Sequence, residues 1–160
     1  REFVNALIES DENYIVVYPN NDSGSREIIH EYKRLENNKK IKIYPSLRFE
    51  FFLVLMKFSG YMVGNSSAGI REAAYYNTPT VNIGSRQNNR SHGESIFHCS
   101  NDCDSILSAI SLAKNFKADG SIKSSDYGQG NSAESFLQIL DSGEIWDVDC
   151  QKQFQDMMDE

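Results

Sequence analysis

The chain has 160 residues, a formal net charge of −7 and a hydrophobic content of 39%. An acidic chain without a basic stripe lacks the usual footprint of a nucleic-acid-binding protein, and this hydrophobic content is ordinary for a globular domain. No apolar run reaches the ~20 residues that a membrane-spanning helix needs. We therefore expect neither a nucleic acid nor a membrane among its partners.

The cysteine pattern argues against disulfides and metals. Cys99, Cys103 and Cys150 are an odd number of cysteines and lack the paired spacing of a disulfide framework. No second cysteine pair or histidine pair follows at the spacing of a zinc site. We expect no metal, no cofactor and a reducing, cytoplasmic setting.

Short β-branched runs alternate with helical patterns along the chain, which starts with helical spacing over Phe3, Leu7 and Ile8. Strands are predicted at Tyr14–Tyr18, Ile41–Tyr44, Tyr61–Val63, Thr80–Ile83 and Ser95–Cys99. Helices are predicted at Glu27–Leu35, Phe49–Met56, about Ile70–Tyr76, Ile106–Ala113 and Ala133–Leu140. Asp22 and Ser46 are the predicted caps of the helices that follow them.

This alternation with short connections predicts an α/β fold, a Rossmann-like parallel sheet with helices on both faces. The chain opens within a helix with no strand before it, so we expect a domain over residues 1–143 that lacks its first strand. Residues 144–160 are expected to be a polar, acidic C-terminal tail, with Trp146 as its only large anchor.

The segment Gly64–Gly69, here called the serine loop, follows a predicted strand and opens a helix. Small residues let a ligand approach the backbone, and the hydroxyls of Ser66 and Ser67 offer donors to phosphate oxygens. Glu72 lies one helical turn further on, where a carboxylate can accept hydrogen bonds from both hydroxyls of a ribose. The alternative is a serine helix cap with an acid similar to that of a capping box.

The segment Gly84–Arg90, here called the arginine loop, follows the next predicted strand. Arg86 and Arg90 stand out in an acidic chain and could hold phosphate by forked hydrogen bonds. The alternative is a pair of surface arginines on a solvated loop. His92, directly after this loop, is a weaker candidate for a ligand contact.

A third polar turn, Tyr18–Arg26, lies at the end of the first predicted strand. In an open parallel sheet, ligands bind at the carboxyl ends of the strands, so Asn20 is a candidate ligand contact. Taken alone, this stretch is better explained by ordinary turn chemistry.

Three blocks of the sequence resemble the hydrolysing UDP-N-acetylglucosamine 2-epimerases. GNSSAGIREAAYYNTPTVNIGSRQNNR, residues 64–90, looks like the signature of that family. YPNNDSGSREI, residues 18–28, is similar to a second block, and YGQGNSAE, residues 127–134, resembles a C-terminal block. The non-hydrolysing relatives carry an Asp-Ser-Gly-Gly type of turn and a later Arg-Pro-Glu, which this chain lacks. The resemblance therefore favours the hydrolysing branch.

The resemblance implies a GT-B-like architecture, in which two Rossmann-type domains enclose the active site between them. This chain would be most of the second domain, the one that holds UDP. Carried over by position, Asn20 would contact the nucleotide and the backbone near Tyr44 would lie beside the uracil.

The remaining implied roles concern the diphosphate and the ribose. Ser66 and Ser67 would bind the diphosphate, Glu72 would bind the ribose hydroxyls, and Arg86 would stabilise the departing UDP. The implied reaction is an anti elimination of UDP to a 2-acetamidoglucal, followed by addition of water to give N-acetylmannosamine.

In the family, the acid and base carboxylates lie in the first domain, and this chain begins after it. We therefore assign no catalytic residue here and expect the isolated chain to be inactive. The expected partners are UDP or UDP-N-acetylglucosamine and the N-terminal domain of the same protein, with a homo-oligomer as an option for the full-length enzyme. Two other interpretations stay open: the nucleotide-sugar-binding domain of a GT-B glycosyltransferase, and a UDP-binding module without catalysis.

Overall fold

The computed structural model describes residues 1–90, 93–116, 128 and 130–147. The chain divides into two compact units, residues 1–124 and residues 125–160. Cys150, His92 and part of the 127–134 block lie outside the described residues.

Five short strands lie in the first unit, close to the predicted positions. They are β1 (Tyr14–Val17), β2 (Ile41–Tyr44), β3 (Met62–Gly64), β4 (Thr80–Ile83) and β5 (Ile96–Cys99). All pairings are parallel, in the orders β1-β2 and β3-β4-β5. The predicted parallel α/β fold is therefore confirmed, but the described strands form two sheets and not one.

Helices lie before β1, between successive strands as far as β4, and after β5, whereas no described helix lies between β4 and β5. They are α1 (Glu2–Glu9), α2 (Ser25–Tyr32), α3 (Phe49–Phe58), α4 (Glu72–Tyr75), α5 (Cys103–Asn115) and α6 (Ser132–Ser142), with 3-10 turns at Lys33–Leu35, Ser67–Gly69 and Glu144–Trp146. The helix predicted over about Ile70–Tyr76 is shorter than expected. It consists of the four-residue α4, and the 3-10 turn at Ser67–Gly69 lies before it.

Both predicted side-chain caps are wrong. α2 begins after Gly24, which has the left-handed φ of +87°, and Asp22 offers only its backbone carbonyl, to the Ser25 N–H at 3.1 Å. α3 begins after Arg48, which has no side-chain cap bond. Because a cap must directly precede the first helical residue, Ser46 lies too far from that helix end to serve.

α1 connects the two sheets. Its Val4 and Leu7 are buried in a core with Tyr14 and Val16 of β1, whereas its Ala6 is buried in the core that β4 shares with α5. A direct contact adds to this junction, because the hydroxyls of Tyr14 and Tyr61 are 2.7 Å apart. The side chains at the starts of β1 and β3 therefore meet.

The three-stranded sheet is covered on both faces, as predicted. Side chains alternate between the two faces along a strand. Val81 of β4 is fully buried with Ile106 and Ile110 of α5. On the opposite face, the neighbouring residue Thr80 meets the backbone of Gly69 in the 3-10 turn.

The second unit contains α6, which exposes much of its apolar surface. Phe136, Leu137 and Ile139 are all at least half exposed. Trp146 has 73% of its surface exposed, so the expectation that it anchors the C-terminal segment is wrong for the residues described. No helix in the described part of the chain is both long and apolar enough to cross a bilayer.

We predict that Gly69→Ala destabilises the protein. A Cβ at this position would lie 2.6 Å from Cγ2 of Thr80, so either the turn or β4 must shift. Such overpacking typically costs about 1–3 kcal/mol. Urea denaturation measures the change. Gly60→Ala is the matched control, because a Cβ there meets no atom within 4 Å, and we expect a change within about 0.5 kcal/mol.

Candidate functional site

The serine loop and the arginine loop leave the same edge of the three-stranded sheet. β3 and β4 run parallel with Gly64 opposite Asn82, and each loop follows directly on its strand. A hydrogen bond ties the loops together, because Nε2 of Gln87 donates to the backbone carbonyl of Asn65 at 2.9 Å. The structure therefore brings the two predicted phosphate-binding segments into contact.

The serine loop offers several hydrogen-bond donors. Ser66 has an extended backbone, and its Oγ accepts a 3.3 Å hydrogen bond from the Ala68 N–H. The backbone N–H groups of Ser66 and Ser67 make no hydrogen bond with any described residue. Together with the half-buried Ser67 hydroxyl, these groups can donate to the oxygens of an anion.

Glu72, the first residue of α4, contains the most informative atom of the site. Its Oε2 is buried and has no hydrogen-bond partner among the described residues. Leaving a buried polar atom without a partner costs roughly 1–3 kcal/mol, and such exceptions in folded proteins call for an explanation. A ligand hydroxyl that donates to Oε2 would satisfy it.

The capping alternative for this motif holds only in part. Ser66 does cap the turn that follows it. Glu72, however, lies six residues beyond Ser66, whereas the acid of a capping box lies three residues beyond its cap. Capping therefore explains Ser66 but not Glu72.

The arginine loop combines a buried support with an exposed cation. Gly84 has a φ of +74°, and a Cβ there would lie 2.8 Å from Oδ1 of Asn101, so the loop starts with a backbone that favours glycine. Gln87 is 1% exposed and accepts a 3.3 Å hydrogen bond from Nη1 of Arg90. Arg86 is exposed and makes no hydrogen bond or ion pair with the residues described. Its guanidinium is available to an anion.

Asn20 and Tyr44 lie at the carboxyl end of the two-stranded sheet. β1 and β2 end opposite each other, and the Tyr18 N–H continues the pairing by donating to the Tyr44 carbonyl at 3.1 Å. Asn20 is exposed and Tyr44 is 43% exposed. No hydrogen bond between described residues links either of them to the serine or arginine loop. The predicted residues therefore form two groups, one at each sheet.

Comparison with known proteins identifies the family of this chain. The sequence model of a protein family described as UDP-N-acetylglucosamine 2-epimerase matches residues 1–141. The chain belongs to this family. The resemblance seen in its sequence blocks is thereby confirmed.

Curated relatives carry the same family's names. The chain is 43% identical to a protein of Neisseria meningitidis serogroup B named UDP-N-acetylglucosamine 2-epimerase, over 98% of this chain and 41% of that protein. It is 34% identical to a Legionella pneumophila protein named UDP-N,N'-diacetylbacillosamine 2-epimerase (hydrolyzing), over 86% of this chain and 36% of that one. The chain thus spans about two-fifths of the length of these relatives.

A solved structure supports the fold. The UDP-GlcNAc 2-epimerase of Methanocaldococcus jannaschii, in complex with UDP-GlcNAc and UDP, matches with a TM-score of 0.72 at 19% identity. The match covers 89% of this chain and 40% of that one. The Rossmann-like, GT-B-like fold class is therefore confirmed.

In this chain of the epimerase family, the sequence patterns did not predict that Gln87 is buried and joins the two loops. A glutamine in a polar loop has no periodicity to mark it as buried, and the arginines beside it draw attention to the surface. The signal that could have found it is its position directly after Arg86, within the block that resembles the family.

Two other polar residues near this edge have structural explanations. Nδ1 of His98 lies 3.0 Å from Nδ2 of the buried Asn82, which agrees with a structural histidine. Burial raises the pKa of the Cys99 thiol, so it stays protonated and is a poor nucleophile. Within the described ranges, no group of three or more His, Cys, Asp or Glu side chains is arranged to hold a metal ion.

We predict that Glu72→Met leaves the stability of the full-length protein unchanged or raises it by up to about 1 kcal/mol. The substitution removes a buried oxygen that has no partner and keeps a side chain of similar length. Asp102→Ala is the contrasting variant, since Asp102 accepts a 2.8 Å hydrogen bond from the Ser105 N–H at the start of α5, and its loss should destabilise. Urea denaturation compares the two. A loss of more than about 1 kcal/mol in Glu72→Met would mean that this carboxylate holds the fold together.

Proposed function

We propose that the full-length protein is a hydrolysing UDP-N-acetylglucosamine 2-epimerase and that this chain supplies its UDP-binding half. The observation that carries the proposal is the buried, unpaired Oε2 of Glu72 close to a serine loop that is joined to the arginine loop. Sugar hydroxyls need an acceptor, and phosphates need donors and a cation, so the three features together match a nucleoside diphosphate. The names of the Neisseria and Legionella relatives support the reaction.

In this proposal, the ligand is held along its length. The diphosphate binds at Ser66, Ser67 and Arg86, and the ribose hydroxyls donate to Glu72. The nucleotide also contacts Asn20, and the uracil lies beside the backbone at Tyr44. These last two residues lie at the end of the other sheet, so the nucleoside would extend from one sheet to the other.

The reaction places a specific demand on Arg86. When the proton at C2 is removed and the C1–O bond breaks, negative charge grows on the departing diphosphate. A donor that is already in place stabilises this charge more in the transition state than in the ground state. We propose that the acid and base groups lie in the part of the full-length enzyme that precedes this chain, in the N-terminal domain. The isolated chain is then expected to show no turnover.

We also propose a cytoplasmic setting, in which UDP-sugars are accessible to the enzyme. Cys99 and Cys103 are free thiols in this structure, which fits a reducing compartment.

We predict that Glu72→Ala and Arg86→Ala impair the full-length enzyme in different ways. The ribose does not change during the reaction, so Glu72→Ala should mainly raise KM, by roughly tenfold to a hundredfold. Arg86→Ala should lower kcat by on the order of a hundredfold or more. Arg86→Lys should restore activity only in part, because an ammonium cannot reproduce the planar fork.

Steady-state assays of UDP release and of N-acetylmannosamine formation measure these effects. Glu36→Ala and Arg34→Ala are charge-matched controls from the α2–β2 region, and both should behave like the wild type. UDP release without N-acetylmannosamine would favour a glycosyltransferase. UDP binding without turnover by the full-length protein would favour a module without catalysis. An unchanged KM in Glu72→Ala would contradict its assignment to the ribose.

We further propose that a strand preceding α1 inserts between β1 and β3. The N–H groups of Tyr14 and Tyr18 bond to carbonyls of the β2 segment, so strand alternation turns those of Ile15 and Val17 to the other edge. On the facing sheet, Met62 bonds towards β4, which turns the Val63 N–H to the opposite edge. In parallel sheets, a helix such as α1 connects neighbouring strands. A strand N-terminal to α1 would therefore pair with both open edges.

Hydrogen exchange of the amides tests this proposal. We expect Ile15, Val17 and Val63 to exchange slowly in the full-length protein and quickly in the isolated chain, because only the former supplies the strand. Tyr14 and Tyr18, which already bond to the β2 segment, should be protected in both. Equal exchange of the first three amides in the two proteins would rule out the inserted strand.

A further inference from the structure

Gln87 is buried where the sequence predicts only a solvated loop. It is 1% exposed and is among the largest fully buried side chains of the described residues. Its neighbours on both sides, Arg86 and Asn88, are exposed. A polar side chain is buried at such a place only when its donors and acceptor are satisfied.

Both ends of the Gln87 amide are used. Nε2 donates to the Asn65 carbonyl at 2.9 Å, and Oε1 accepts from Nη1 of Arg90 at 3.3 Å. The first bond reaches the serine loop, and the second reaches the far end of the arginine loop. Inside a protein, such paired bonds are stronger than in water and restrict the groups that they join. The backbone directly after Arg86 is therefore tied to the backbone that precedes Ser66.

We propose that Gln87 is a positioning residue, which sets the placement of Arg86 relative to the serine loop so that both hold one diphosphate. This inference rests on the proposed function, because it assigns the two loops to a single ligand. Arg86 has no bond of its own to the described residues, so its placement depends on the backbone of the loop that Gln87 anchors. A guanidinium whose backbone is held in place has less freedom to lose when it binds the charge that develops on the leaving group.

A merely structural glutamine would give a different signature. Its loss would lower stability and reduce all activities by the same factor, whatever residue stands at position 86. A positioning glutamine acts through Arg86, so its loss should have little further effect once Arg86 is gone. The kinetic coupling between the two positions therefore separates the two cases.

The test uses the full-length protein with Gln87→Met, Arg86→Ala and the double variant. Methionine has a similar length and makes neither hydrogen bond. We expect Gln87→Met to lower kcat by roughly tenfold to a hundredfold, the scale seen for small misplacements of catalytic groups, with KM changed by less than about threefold. The double variant should match Arg86→Ala within about threefold, because the two losses share one cause.

Gln87→Glu is a second variant, which tests the hydrogen bond to Asn65. Its carboxylate can still accept from Arg90 but, when ionised, opposes the Asn65 carbonyl instead of donating to it. Protonation restores the donor; burial favours the protonated form, and the Arg90 guanidinium favours the ionised form. We expect the kcat of Gln87→Glu, relative to wild type at the same pH, to recover as the pH is lowered. A flat ratio would contradict the role of the bond to Asn65.

Binding of inorganic pyrophosphate, measured by calorimetry on the same variants, keeps the result independent of turnover. If the wild-type protein releases no UDP, the proposed function is refuted. The pyrophosphate affinities of the variants would still report on the role of Gln87. We expect Gln87→Met to weaken pyrophosphate binding in the Arg86 protein and to leave it unchanged in the Arg86→Ala protein. Additive losses in both kcat and pyrophosphate affinity would falsify the positioning role and leave Gln87 as a structural residue.

Discussion

The pairing of β3 with β4 is the constraint on which the candidate site depends. Parallel register places Gly64 opposite Asn82, so the loops that follow the two strands must start side by side. Gly69 then lies against Thr80 at a distance that leaves no room for a side chain, which seats the 3-10 turn on the sheet. The geometry of the two loops thus follows from one strand pair and one close backbone contact, before any ligand is considered.

The same edge contains polar groups that the fold itself does not satisfy. The Oε2 of Glu72 is buried without a partner, and the guanidinium of Arg86 has no partner among the described residues. Among the described residues, Oε2 of Glu72 is the one buried side-chain oxygen or nitrogen that lacks a hydrogen-bond partner. Local departures of this kind are expected at functional sites, where stability is given up for binding. The buried, unpaired oxygen of Glu72 separates the candidate site from the ordinary surface better than any residue type does.

The sequence predicted the order of strands and helices because alternation and β-branched runs depend on local periodicity. The helix caps predicted at Asp22 and Ser46 are wrong. A serine or aspartate near a helix is compatible with several starting points, and the backbone geometry decides among them. It could not predict that Gln87 is buried, because that depends on a contact with Asn65, 22 positions away. Likewise, the lack of a hydrogen-bond partner at Oε2 of Glu72 depends on how side chains pack around α4. Residue spacing in the sequence does not predict such packing.

The junction between the two sheets sets the reach of the site. The hydroxyls of Tyr14 and Tyr61 join the starts of β1 and β3. Ser10 extends this row of hydrogen bonds, because its hydroxyl lies 2.7 Å from that of Tyr14. Burial and the bond to Tyr14 raise the pKa of Tyr61 well above its usual value, so this contact stays neutral and does not switch with physiological pH. In the proposed ligand arrangement, the uracil and the diphosphate bind at opposite sheets. Because the junction fixes the two sheets at their strand starts, it also fixes the distance between their strand ends. That distance favours a ligand that is one nucleoside long.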